Sequence, residues 1–162
     1  MKRKDFMAGR RRLRLLRRRW EHALGLKHWF IDYLYVESDF KTDGEPTPDT
    51  LATCTADWRY KKATISYNMA KVAEATDAWL EQTFVHEHMH MFVQELREGV
   101  RTDFDQLPHE ERVCTQLGWA FLWTREEALK EGKRTRLAGS KAARDATRTK
   151  RAALAAAAAT LP

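Results

Sequence analysis

Apolar positions at the start of the chain recur with helical spacing. In RRRLRLLRRRWEHALGL, Leu13, Leu16, Trp20 and Leu24 fall on one face, and Gly25 follows as a stop signal. The period then changes. HWFIDYLYVE alternates and is rich in aromatic and β-branched residues, which predicts a strand over 28–37. SDFKTDGEPTPDT, residues 38–50, breaks both periods and predicts a turn-rich loop. TCTADWRYKKATISYNMA predicts one or two further strands, most clearly where Ala63, Ile65, Tyr67 and Met69 alternate with their neighbours.

A second helical period covers residues 76–98. Thr76 or Asp77 can cap it, Gly99 stands just past its end, and Val85, Met89, Phe92 and Leu96 form an apolar stripe. VRTDFDQLP reads as a connection. A third helix is predicted from Pro108, a residue suited to the first helical turn, to about Glu131. On this helix Glu110 shares an inward face with Val113, Cys114, Leu117 and Phe121, and Trp119 and Trp123 read as core residues. Beyond Gly132 the chain turns to Ala, Arg, Lys and Thr. Alanine favours helix, but no core face is left to bury, so a partly helical tail is expected.

The elements amount to a small α+β fold. A short, mostly antiparallel sheet packs on the N-terminal helix and the 76–98 helix, and a third helix follows. The expected organisation is one domain over 1–131, with a basic Ala-rich tail over 132–162.

Composition supports one folded body: 162 residues, 43% hydrophobic, with six tryptophans. Charge changes the picture. The net +6 divides into +9 over residues 1–20, −10 over 21–129 and +7 over 130–162. An acidic body with two basic ends favours a polyanion such as nucleic acid, with Arg10, Arg11 and Arg12 as candidate contacts. Cys54 and Cys114 lack CxxC spacing, which argues against a disulfide scaffold and suits a reducing cytoplasm. No segment is long and apolar enough to cross a membrane, and the Arg-rich start lacks the apolar core of a secretory signal.

The candidate chemistry lies in TFVHEHMHMFVQEL. On a helix each residue advances about 100°, so His86 and His90 stand one turn apart and can share a metal, whereas His88 points about 200° away. With Glu87 between them this is the H-E-x-x-H arrangement: two imidazole ligands for one zinc ion, and a carboxylate placed as general base on the water that zinc activates. A catalytic zinc site needs a third protein ligand. Glu110 is the first candidate, because an inward carboxylate is costly unless a cation meets it; Glu111 is the second and His109 the third. Asp103 and Asp105, in the connection, are placed to orient a metal-bound histidine. Tyr60 and Tyr67 read first as packing residues and second as donors to an oxyanion.

ATISYNM, FVHEHMHMFV and HEERVCTQLGWAFL, taken together, resemble the small intracellular zincin metallopeptidases of bacteria and their phages. The likeness is to phage-encoded peptidases of minimal gluzincin type, related to those that cleave phage repressors, and it covers about residues 10–125. The resemblance implies a zincin-like fold, one zinc ion on His86, His90 and Glu110, and Glu87 as base. It also implies a protein or peptide substrate lying along the strand of Ala63, Ile65 and Tyr67 as a sheet edge, and a phage-encoded protein in the cytoplasm of a bacterial host. The chain departs from the family pattern at HEHMH, where apolar residues usually follow the glutamate. The expected function is a zinc-dependent metallopeptidase acting on an intracellular protein. The alternative is a non-catalytic, zinc-stabilised binding module, DNA-associated through its basic ends.

Overall fold

The computed structural model describes residues 1–37, 39–42, 45–47, 49–99 and 107–159. Helix α1 (Arg3–Ala23) buries Gly9, Leu13, Leu16 and Trp20, as the sequence periodicity predicts. Gly25 follows at φ 69, a left-handed conformation that glycine adopts without a Cβ penalty, and a short 3-10 turn (Leu26–His28) leads into strand β1 (Phe30–Val36). The loop expected over 38–50 contains two short strands, β2 (Phe40–Thr42) and β3 (Glu45–Thr47), paired antiparallel. Their turn-forming residues hid the pairing, because a three-residue strand has too little alternation to read.

Strands β4 (Ala52–Asp57) and β5 (Lys62–Asn68) complete a three-stranded sheet of order β1-β5-β4. The fold is therefore α+β. The three-stranded sheet is mixed rather than mostly antiparallel: β4 pairs antiparallel with β5, but β1 pairs parallel with it, Phe30 opposite Lys62 and Val36 opposite Asn68. Asn68 ends β5 and caps a six-residue helix, α2 (Met69–Glu74), by accepting hydrogen bonds from the Ala70 and Lys71 amides. The alternation ending at Met69 masked this helix.

Arg12 joins α1 to the end of α2. It donates to the Val72 and Ala75 carbonyl oxygens, each at 2.7 Å, and pairs with Asp77. Carbonyls that a helix C-terminus leaves without partners are thereby satisfied. Gly9 lets the two helices approach: a Cβ there would lie 2.8 Å from Met69 Cε and 3.0 Å from Val72 Cγ1.

Helix α3 (Asp77–Gly99) starts as expected, with Thr76 Oγ1 accepting from the Trp79 amide. Its buried side is wider than the predicted stripe. Leu80, Phe84, Val85, Met89, Met91 and Val93 are buried, whereas Phe92 is exposed, and the Leu96 side chain lies outside the described residues. Helix α4 (Leu107–Ala159) continues well past Glu131, because the Ala-rich segment keeps helical geometry without a core to pack on.

The chain divides into two compact units, Met1–Leu122 and Trp123–Pro162. The first holds the sheet and the core. In the second, Lys130 pairs with Glu126 and Glu127, and Arg134 with Glu131, along the helix surface. Trp119 and Trp123, expected in the core, are both exposed, because the buried α4 residues among those described, Glu110, Cys114 and Gly118, with the half-buried Leu122, form one narrow row. Val113, Leu117 and Phe121 lie on its flanks, also exposed. No helix among the described residues is long and apolar enough to cross a membrane.

Candidate metal centre

His86 and His90 stand one turn apart on α3, and their rings meet edge to face with centroids 4.9 Å apart. The two Nε2 atoms are 3.2 Å from each other. α4 brings Glu111 to the same point: its carboxylate oxygens lie 3.1 Å from His86 Nε2 and 3.4 Å from His90 Nε2. Zinc–nitrogen and zinc–oxygen bonds of about 2.0–2.2 Å in a tetrahedral arrangement place donor atoms about 3.3 Å apart. The Nε2–Nε2 separation matches an edge of that figure, and a different Glu111 oxygen comes near each nitrogen, so the donor set fits zinc in kind.

The far sides of the two rings give the fit a second support. His90 Nδ1 lies 2.8 Å from Glu110 Oε1, and His86 Nδ1 lies 3.3 Å from Thr115 Oγ1. A carboxylate can only accept, so Nδ1 of His90 carries the hydrogen and donates it. His86 Nδ1 can donate to Thr115 Oγ1 in the same way, the tautomer in which both Nε2 atoms are free to bind a metal; with no metal between them, His86 Nε2–H would instead donate to Glu111. Burial and the neighbouring His90 lower the His86 pKa, against the raising effect of Glu111, which keeps the imidazole available as a neutral ligand.

This changes the ranking of the third ligand. Glu110, the first candidate, is buried as expected but reaches the Nδ1 side of His90, where it orients the ring. Glu111, the second candidate, faces both Nε2 atoms. The reason is how α4 crosses α3: a Cβ on Gly118 would meet the His86 backbone at 3.7 Å, and at this close crossing the Glu111 and Thr115 face turns onto the histidines. His109 is exposed, with Arg112 donating to its Nδ1 at 3.1 Å, and it does not join His86, His90 and Glu111. Asp103 and Asp105 lie outside the described residues. Thr115 was missed, although its place four residues after Glu111 put it on the same helical face.

Glu87 is buried, 6% exposed, beside this cluster. Burial, and then the charge of Glu111, push its carboxyl up to about 8. The Cys54 thiol and the Tyr67 hydroxyl, both pushed up mainly by burial, are raised a little further by its charge. Cys114 is buried, with Sγ 3.5 Å from His90 Nδ1, and desolvation followed by Glu110 pushes its thiol up to about 12. It is an inert neighbour of the ring, on the side away from Nε2.

His88, without a role in the sequence pattern, is a core residue. Its Nδ1–H donates to the Phe84 carbonyl at 2.6 Å, and its ring stacks on Phe84 at 4.2 Å. Nε2 lies 2.9 Å from the Tyr33 hydroxyl, which is also 3.1 Å from Glu21 Oε1, so one hydroxyl hydrogen faces two acceptors. Burial lowers the His88 pKa to about 4, so the imidazole stays neutral.

The strand expected as the substrate edge is not an edge. β5 is paired on both sides, and Ala63, Ile65 and Tyr67 are buried in the core. Inward alternation is the same for a central strand as for an edge strand, so the pattern could not tell them apart. The sheet edges are β1 and β4, and it is β4 that packs with α3. Tyr67 is fully buried and out of reach of any substrate, while Tyr60 is exposed in the β4–β5 turn. Arg10, Arg11 and Arg12, the candidate nucleic-acid contacts, do not form one surface: Arg12 is tied to α2, Arg10 lies over the Tyr35 ring, and only Arg11 is exposed to solvent.

Compared with known proteins, the chain matches no family model, no curated protein and no solved structure.

Proposed function

We propose that this protein is a zinc-dependent metallopeptidase whose centre is held by His86, His90 and Glu111, with Glu87 as general base. The observation that carries the reading is the convergence of two Nε2 atoms and one carboxylate at 3.1–3.4 Å, with a second carboxylate buried alongside. Zinc bound there would supply a Lewis acid for the scissile carbonyl and lower the pKa of water to about 7.

The chain's own residues do the rest. Glu110 and Thr115 hold the two rings so that Nε2 of each faces inward. Glu87 accepts a proton from the attacking water and passes it to the departing amine nitrogen, so that one C–N bond breaks as one C–O bond forms. β4, as an edge strand packed with α3, is the segment along which an extended peptide would pair. The reading as a closed, structural zinc site is less favoured. Cys114 stands on the Nδ1 side of His90, so among the described residues no fourth protein donor completes the Nε2 cluster.

The test combines metal content with cleavage of unfolded casein. Zinc at one equivalent is expected in the parent and in Glu87→Gln, with hydrolysis only in the parent. His86→Ala and His90→Ala should lose both. A Glu87→Gln variant as active as the parent, or a parent that binds no zinc, ends the proposal.

A further inference from the structure

The structure sorts the seven arginines of α1 between residues 10 and 19 into two sets. One set is engaged inward: Arg12 on the end of α2, Arg19 on Glu81, Arg17 on Glu21 and over the Tyr33 ring, and Arg10 over the Tyr35 ring. The other set faces solvent. On the helix wheel Arg11 and Arg18 point within about 10° of the direction opposite the buried Gly9, Leu13, Leu16 and Trp20, with Lys4 and Arg14 within about 50°. All four are exposed. At a rise of about 1.5 Å per residue they form a row about 21 Å long. The two acids of α1 do not neutralise it: Glu21 is held by Arg17, and Asp5 lies about 140° around from Arg18.

We propose that this outward row of α1 is a docking surface for duplex DNA, bound through its phosphate backbone. The proposal is independent of the metal centre. Three observations favour that partner. The row is linear and of one sign, as a phosphate strand is of the other. Its cations are mainly guanidinium groups, whose planar fork matches phosphate oxygens in pairs. An anionic membrane is a poorer fit, because a helix binds lipid by burying its apolar face, and that face of α1 is already buried in the core. Only Met7 and Leu15 interrupt the outward side. B-form DNA also has a major groove about 12 Å wide that admits a helix, which the narrow major groove of duplex RNA does not.

The experiment uses the full chain and a fluorescent 20-base-pair duplex, with anisotropy followed against salt. Binding is expected with a steep salt dependence. In Arg11→Gln/Arg14→Gln/Arg18→Gln, affinity should fall at least tenfold at about 0.1 M salt, and the log–log slope should shrink by about three. These side chains form no hydrogen bond, ion pair or ring contact among the described residues, so the melting temperature should change little. The control is Lys133→Gln/Arg134→Gln/Arg136→Gln/Arg144→Gln, which removes charge from the second unit. Loss of binding in the control with none in the α1 triple variant overturns the proposal. So does tighter binding to duplex RNA, or binding to vesicles of anionic phospholipid with none to DNA.

Discussion

Glu110 and Glu111 act on the same imidazole from opposite sides. Glu110 meets His90 at Nδ1, and Glu111 meets it at Nε2. They should therefore fail differently. Glu110→Ala removes the group that orients the ring and should weaken zinc binding about 10- to 100-fold. Glu111→Ala removes a proposed ligand and should weaken it further. Competition against a calibrated chelator measures both, and the reverse order would make Glu110 the ligand. The pairing of His86 with His90, and the exclusion of His88, were legible because they depend only on the pitch of one helix. The choice between two adjacent glutamates was not. It depends on how α4 is rotated where it crosses α3, a relation between elements distant in sequence.

At the scale of elements, two glycines at helix contacts differ in what surrounds them. Gly9 faces the buried Met69 and Val72, whereas a Cβ on Gly118 would make only ordinary contacts at 3.7–4.0 Å. Gly9→Val should therefore cost about 2 kcal/mol through overpacking at the α1–α2 contact. Gly118→Ala should be neutral or stabilising by up to about 1 kcal/mol through helix propensity. Urea unfolding midpoints separate the two, and equal shifts would contradict the packing described. Long amphipathic segments such as α1 and α3 were readable because burial on one face repeats over several turns. α2, β2 and β3 were not, because each is too short to show a period. The exposure of Trp119 and Trp123 also escaped the sequence, since apolar residues on three sides of α4 do not say which side meets the core.

For the whole molecule, the proposed ligands tie α3 to α4, so zinc should stabilise the folded chain against an unfolded state that lacks the site. At zinc about a thousandfold above its dissociation constant the gain is about 4 kcal/mol. For a chain of this size that is a melting temperature higher by about 10 °C. Scanning calorimetry with zinc, with magnesium, and with zinc on His90→Ala tests it. Only the first should rise, because imidazole donors favour zinc over magnesium. An equal rise in His90→Ala would place the ion elsewhere.

The last strand among the described residues occupies the middle of the three-stranded sheet. Because β1 and β4 both bond to β5 and not to each other, neither has a sheet neighbour until residues 62–68 exist. A ribosome-bound chain that stops before Lys62 thus carries two unpaired ribbons awaiting one late arrival. Synthesis past that point converts them together, which makes the birth of this sheet a single closing event rather than a gradual zipping.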